Sequence, residues 1–275
     1  MPHSPWIQKT AVVCGASAGL GREFAFELAR QQVSKLVLIS RSVDRLHALR
    51  DELLIAHTEL DVLCVGVDLL HKEQLGHAAE QIQRDFGPID VLVQAVGQSD
   101  RGRITDLTDA KLHELIGVNV VTSLHALQCF EPMMRQSQGS FVLVGSLASK
   151  FAPRFLGGYA IAKHGLAALA QQARLELADK GLHLLLACPG PIARDDAGKR
   201  YEHLLNHPDG SAAMVQPGGG AKLRGLDAQK FVREVLHGAS QRKPQIIRPR
   251  RAYWLLCLSA LSCRWGDMLL RRNSG

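Results

Sequence analysis

The chain has 275 residues, of which 46% are hydrophobic and 21% charged, enough for one large α/β domain or two small ones around a sizeable core. Its six cysteines are scattered, with no Cys-x-x-Cys pair and no histidine cluster at zinc spacing, which argues against a disulfide scaffold or a zinc module. The net charge of +7 is uneven: from Lys222 onward twelve Lys/Arg stand against three Asp/Glu, whereas the preceding residues carry 21 against 23.

The opening Met-Pro-His-Ser-Pro-Trp lacks the basic region and apolar stretch of a signal peptide. No apolar run reaches the ~18 residues needed to span a bilayer. The expectation is a cytoplasmic protein without bound metal, whose cysteines are small core residues. Cys14, Cys64 and Cys188 fall in or at the end of apolar runs that read as buried strands.

Lys9-Thr-Ala-Val-Val-Cys14 reads as a first strand, followed at once by Gly15-Ala-Ser17-Ala-Gly19-Leu20-Gly21 and a helical pattern to about Gln32. Glycines between strand and helix let the backbone approach a phosphate, and the helix start behind them offers free N–H groups and a positive dipole end. Leu36 to Ser40 is a second strand, with Arg41 just beyond it and Arg45 one helical turn further. In a dinucleotide fold this position meets the adenosine ribose. An acid there repels a 2′-phosphate and an arginine attracts it, so NADP(H) is favoured over NAD(H).

Asp61 to Asp68 is a third strand ending in an acid placed to meet adenine, and Ile89 to Gly97 a fourth. A long helix is expected from about Asp106 to Met134. Asn119 in its middle is a poor helix former and signals a kink or a polar task. Ser140 to Gly145 and Leu182 to Cys188 read as strands five and six, the latter ending at Pro189-Gly190.

Between strands five and six lies Tyr159-Ala-Ile-Ala-Lys163, on a helix running to about Asp179, with Ser146 upstream at the end of strand five. Residues four apart share a helix face, so Tyr159 and Lys163 point the same way. An ammonium beside a phenol favours the phenolate and lowers a pKa that starts near ~10. A phenol so tuned exchanges protons at neutral pH, and Ser146 could hold a substrate oxygen against it. A surface helix would carry the same pair without any chemistry. What favours chemistry is convergence: Gly15, Arg41, Asp68, Gly97, Ser146 and Pro189 all fall at the carboxyl edge of one parallel sheet, where such sheets bind ligands.

Past Gly190 the regular pattern lapses until about Leu226, and His203, His207 and Asp209 there read as plain loop residues. Asp227 to Gly238 is a further helix and Pro244 to Ile247 a seventh strand. Arg248-Pro-Arg-Arg251 then leads into an apolar run of twelve residues, Ala252 to Cys263, followed by Trp265 and Met268-Leu-Leu-Arg-Arg272. This reads as a basic amphipathic helix that can pack on the domain or a second subunit, cover an apolar substrate, or lie on an anionic membrane. Its basic residues are interleaved with aliphatic ones and not with stacking aromatics, which argues against nucleic acid.

With these pieces in order, residues 9 to about 190 resemble the short-chain dehydrogenase/reductase family. The resemblance implies a Rossmann-type doubly wound parallel α/β sheet of about seven strands in a single domain. Residues 1–247 would form that domain, with a substrate lid near 191–225, and residues 248–275 a helical extension. Tyr159 would be the acid/base, Lys163 would bind the nicotinamide ribose and lower the tyrosine pKa, Ser146 would orient the substrate carbonyl, and Asn119 would hold a water linking Lys163 to solvent. Cofactor contacts would come from Gly15, Ser17, Gly19, Leu20, Gly21, Ser40, Arg41, Asp68, Leu69, Ala95, Gly97, Tyr159, Lys163, Pro189 and Gly190.

Two departures stand out: Cys14 where relatives usually carry Thr, and Gln94-Ala-Val-Gly97 where they carry Asn-Asn-Ala-Gly. The implied activity interconverts a carbonyl and a secondary alcohol, in a homodimer or homotetramer formed through the helices of Asn119 and Tyr159; the apolar tail and the lack of a cluster for a charged substrate point to an apolar small molecule. An epimerase or dehydratase on the same scaffold, or a non-catalytic dinucleotide-binding regulator, are the alternatives.

Overall fold

The computed structural model of the protein describes residues 4–193, 201 and 224–273. The segment read as the substrate lid, with His203, His207 and Asp209, lies largely outside the described residues.

Seven strands form one parallel sheet: β1 (Thr10–Cys14), β2 (Lys35–Ser40), β3 (Asp61–Gly66), β4 (Val91–Gln94), β5 (Ser140–Val144), β6 (His183–Pro189) and β7 (Gln245–Arg248). Their order across the sheet is β3-β2-β1-β4-β5-β6-β7. The winding reverses between β1 and β4, so the crevice for a ligand opens where those two strands end.

Alternate residues of each strand enter opposite layers. Ala11 and Val13 join Phe24 and Leu28 of α1 (Gly19–Arg30), Leu46, Leu49 and Leu53 of α2 (Val43–Ala56), and Phe231 and Val235 of α7 (Ala228–Ser240). Val12 and Cys14 join Leu75 and Ile82 of α3 (Lys72–Phe86), Phe130 and Met134 of α5 (Thr122–Gln136), and Leu166 and Ala170 of α6 (Tyr159–Leu177). Cys14 is a buried thiol that burial pushes above its ordinary range, so it serves as a small apolar residue in the central strand. Cys64 is only half-buried, because β3 is the outer strand of the sheet.

Between α4 (Asp109–Ile116) and α5 the helix expected from 106 to 134 is interrupted by a π turn, Gly117–Val121, with Asn119 at its centre. The single amphipathic tail helix expected within residues 248–275 is also divided. Ser262 is extended (φ −155°, ψ 119°) and separates α8 (Ala252–Leu261) from α9 (Cys263–Asn273). The first of these is apolar all round and not amphipathic. Its Ala252, Leu255 and Leu256, with Leu270 of α9, pack on the sheet's second layer, so the tail is docked on the domain.

His183 shows how the β5–β6 end is held. Its Nε2 lies 2.9 Å from the carbonyl of Lys243 and its Nδ1 3.0 Å from Ser140 Oγ. The carbonyl can only accept, so Nε2 donates, and Nδ1 accepts from the serine in the neutral ring. Burial, with Arg242 and Arg174 nearby, keeps the His183 pKa below its ordinary value. The unfolded chain therefore binds a proton that the folded one resists. This stability contribution is complete above the unfolded pKa of about 6.5 and is lost as pH falls through the folded value. The urea midpoint should drop between about pH 7 and pH 5, and His183→Gln should flatten that drop; an unchanged slope in the variant would locate the effect elsewhere.

Candidate active site

The glycine turn brings the first half of the site together. Gly15 has φ +81°, and the N–H groups of Gly15 and Ala16 donate to the Ile39 carbonyl at 2.8 and 3.2 Å, fixing the turn at the β1–β2 edge. A Cβ on Gly21 would lie 2.1 Å from the Gly15 carbonyl oxygen, so only glycine lets α1 start this close to the strand. Ala18 precedes α1 with no side-chain cap, and the first turn holds no acid. Ser17 and Leu20 are half-buried beside it. A helix start of this kind suits an anion, and the turn fits a dinucleotide's pyrophosphate.

Arg41 stands beyond β2, 78% exposed, its Nη1 3.7 Å from Asp68 Oδ2. Ser40 turns its hydroxyl back to accept from Ser42 N at 3.1 Å, and Asp68 Oδ1 accepts from Leu70 N at 3.0 Å. The Leu69 carbonyl meets His125 Nδ1 at 2.9 Å, Ala95 N donates to Cys14 O at 3.0 Å, and Gly190 N donates to Arg248 O at 2.7 Å, directly after Pro189 ends β6. Each of these positions lies at the carboxyl edge of the sheet, as the spacing predicts.

The second half gathers around Lys163. This lysine is 3% exposed, and its Nζ donates to the Val144 carbonyl at 3.0 Å and sits 5.8 Å from the centre of the Tyr159 ring. Burial brings its pKa down to about 8. A Cβ on Gly97 would lie 2.9 Å from Asn119 Oδ1 and 3.2 Å from Lys163 Nζ, so the segment that follows β4 passes close to both. The π turn presents Asn119 to that spot. Its Nδ2 donates to the carbonyls of Gln98 and Leu115 at 3.0 and 2.9 Å, and its Oδ1 accepts from Gln98 N at 3.2 Å.

Ser146 opens the short 3-10 helix Leu147–Ser149. Its Oγ accepts from Ala148 N at 3.1 Å while its own N donates to Ser149 Oγ at 3.2 Å, a reciprocal cap that fixes the hydroxyl's position. The Ser146 hydroxyl lies beside the Tyr159 phenol and favours its ionised form. The four residues expected to act together are thus brought together.

One expectation fails. Lys163 does not hold the Tyr159 phenol down in this geometry, because its ammonium is engaged by Val144 and is itself disfavoured by burial. The net direction for Tyr159 is upward, with burial outweighing the opposing effects of the Ser146 hydroxyl and the positive charge of Arg101.

Arg101 is not anticipated by any spacing. The stretch Asp100–Gly102 reaches Tyr159 through a bridge between Gly102 and Leu156, with Gly157 N donating to Gly102 O at 3.1 Å and Gly158 N to Asp100 Oδ2 at 3.4 Å. The Arg101 guanidinium lies 4.9 Å from the ring centre of Tyr201, whose hydroxyl is 2.6 Å from Ser99 Oγ. Ser149 and Cys188 are likewise neighbours that the sequence does not announce; burial pushes the Cys188 thiol up to about 11, and it stays protonated. The unusual Gln94 has a visible task. Its Nε2 donates to Thr122 Oγ1 at 3.1 Å and Ser123 Oγ at 3.4 Å, tying β4 to the start of α5. Among the described residues no group of three His, Cys, Asp or Glu side chains could hold a metal.

Fold and site together fit a protein that binds a dinucleotide at the carboxyl edge of a doubly wound parallel sheet. The family model described as short chain dehydrogenase matches residues 9–204, and the chain belongs to the short-chain dehydrogenase/reductase family. It is 31% identical over 186 residues to an uncharacterized oxidoreductase of Staphylococcus epidermidis, covering 67% of this chain and 78% of that protein. Among solved structures it is similar to an alcohol dehydrogenase from Thermococcus sibiricus complexed with 5-hydroxy-NADP (TM-score 0.68, 25% identity, 83% of this chain and 89% of the other). It also superposes on the L-sorbose reductase of Gluconobacter frateurii complexed with NADPH and L-sorbose (TM-score 0.76, 21% identity, 89% and 97%).

Proposed function

We propose that this protein is an NADP(H)-dependent oxidoreductase that interconverts a carbonyl and a secondary alcohol on an apolar small molecule. The observation that carries the reading is the meeting of Asn119, Ser146, Tyr159 and Lys163 at the sheet edge that also bears the glycine turn. When bound, the nicotinamide cofactor supplies or accepts the hydride. Ser146 Oγ holds the substrate oxygen, and the Tyr159 hydroxyl delivers a proton to it in reduction. Its raised pKa keeps that proton in place at neutral pH, so the residue is loaded as an acid. Lys163 holds the ribose hydroxyls, and Asn119 anchors a water that relays protons to Lys163.

The phosphate choice is supported by Arg41 and by the absence of an acid at Ser40 or Arg41; the Thermococcus sibiricus relative is itself solved with an NADP derivative. Residues 1–247 serve as the cofactor and catalytic unit and 248–275 as its helical extension. A homodimer or homotetramer is supported by α6, which turns Ile161, Ala168 and Leu175 outward, although its Ala160 and Ala162 are buried within the fold.

Titration with NADPH and, separately, NADH tests the reading. NADPH should bind at much lower concentration, and Arg41→Glu should erase that difference. Equal affinity in the unaltered protein would overturn the role given to Arg41. Turnover only on small polar carbonyls, and not on steroid or long-chain ketones, would remove the apolar substrate.

A further inference from the structure

The tail helices bury one side and leave the other uncovered. On α8, Tyr253, Trp254, Cys257 and Leu261 recur at helical spacing on the exposed side, with Trp254 and Leu261 each 77% exposed. On α9, Arg264, Trp265, Met268, Arg271 and Arg272 form a similar exposed stripe, with Trp265 54% exposed. The two helices cross closely, since a Cβ on Gly266 would lie 2.7 Å from Ser259 Oγ. With the opposite side packed on the domain through Ala252, Leu255, Leu256 and Leu270, the two helices present their stripes away from it.

Large aromatic and aliphatic side chains rarely stay exposed together unless something covers them. Arg250 joins Arg264, Arg271 and Arg272 around this patch, and among the described residues none of these four has an acidic partner; Asp267 is the one acid within the two helices. A second copy meeting this patch through a two-fold axis would set arginines against arginines. An anionic lipid surface complements both features, taking the indoles and leucine into its interface and the guanidiniums among its phosphates.

We propose that α8 and α9 form a peripheral docking surface for anionic membranes. No helix among the described residues is long and apolar enough to cross a bilayer, so contact would be interfacial. This inference does not depend on the catalytic reading.

Co-sedimentation of the full chain with vesicles of phosphatidylcholine alone, or mixed with phosphatidylglycerol, tests it. The protein should pellet with the mixed vesicles, release as salt rises, and shift its tryptophan emission to the blue. Arg271→Glu with Arg272→Glu should weaken binding by about tenfold or more. Trp254→Ser with Trp265→Ser should also weaken it and abolish the blue shift. NADPH titration and the thermal midpoint of both variants serve as folding controls. Failure of the unaltered protein to bind either vesicle overturns the proposal. So does sedimentation as a concentration-dependent dimer that Trp254→Ser dissociates, which would assign the face to a second copy.

Discussion

Tyr159→Phe should lower turnover by about 10²–10⁴-fold while leaving NADPH affinity within a small factor of the unaltered protein. The substitution removes one oxygen and keeps the ring beside Lys163, 5.8 Å from its ammonium. What disappears is the phenolic proton, together with the polar contact to the neighbouring Ser146 hydroxyl. The hydrogen bond of Lys163 to Val144, the glycine turn and Asn119 are untouched, so the cofactor pocket keeps its shape. Stopped-flow reduction of a ketone by bound NADPH, beside a fluorescence titration, separates the two effects. Turnover retained in the Phe variant would assign the acid to another group; turnover and binding lost together would signal structural damage instead.

Gly21→Ala should be as severe through a different cause. The new methyl would lie 2.1 Å from the Gly15 carbonyl oxygen and 2.7 Å from its carbon, and both are backbone atoms that cannot turn aside. Either α1 moves off the β1 edge or the Gly15 turn opens, and each disrupts the phosphate cradle. Overpacking of this kind costs about 1–3 kcal/mol and at times more, so a lower thermal midpoint and loss of nucleotide binding are expected. Gly76 in α3 is the matched control, because nothing lies within 4 Å of a Cβ built there. Gly76→Ala should instead stabilise by about 0.5–1 kcal/mol, as alanine is the better helix former. Equal effects at the two sites would refute the close-approach argument.

The parallel sheet and its seven strands are legible because each strand is a short apolar run, most of them closed within a few residues by glycine, proline or an acid, with helices following at ordinary spacing. Three of the four central site residues are legible for the same reason: Ser146 follows the end of a strand, and Tyr159 and Lys163 share a helix face, while Asn119 shows as a poor helix former in mid-helix. Arg101, Tyr201 and Ser149 are not, since they reach the site by a bridge between Gly102 and Leu156, by a ring contact and by a cap. None of those leaves a periodic trace. The electrostatics of Tyr159 are also hidden from spacing. A lysine four residues on predicts a lowered phenol, but burial of both groups decides the sign, and burial is a property of the whole packed domain. The break at Ser262 is invisible because an unbroken apolar run says nothing of where a chain must reverse to cover its own core.

The π turn at Gly117–Val121 also acts as a vernier on the helix. A turn that closes from i to i+5 takes up one residue more than its neighbours, about 100° of helical phase. In an uninterrupted helix Leu115, Asn119, Ala126, Phe130 and Met133 would form a single ridge. The extra residue splits that ridge. Ala126, Phe130 and Met133 of α5 point into the sheet, while Leu115 of α4 is swung toward Gly158, where a Cβ would come within 2.8 Å of its side chain. One stretch of chain thereby addresses two surfaces set at different azimuths, with Asn119 held at the step between them.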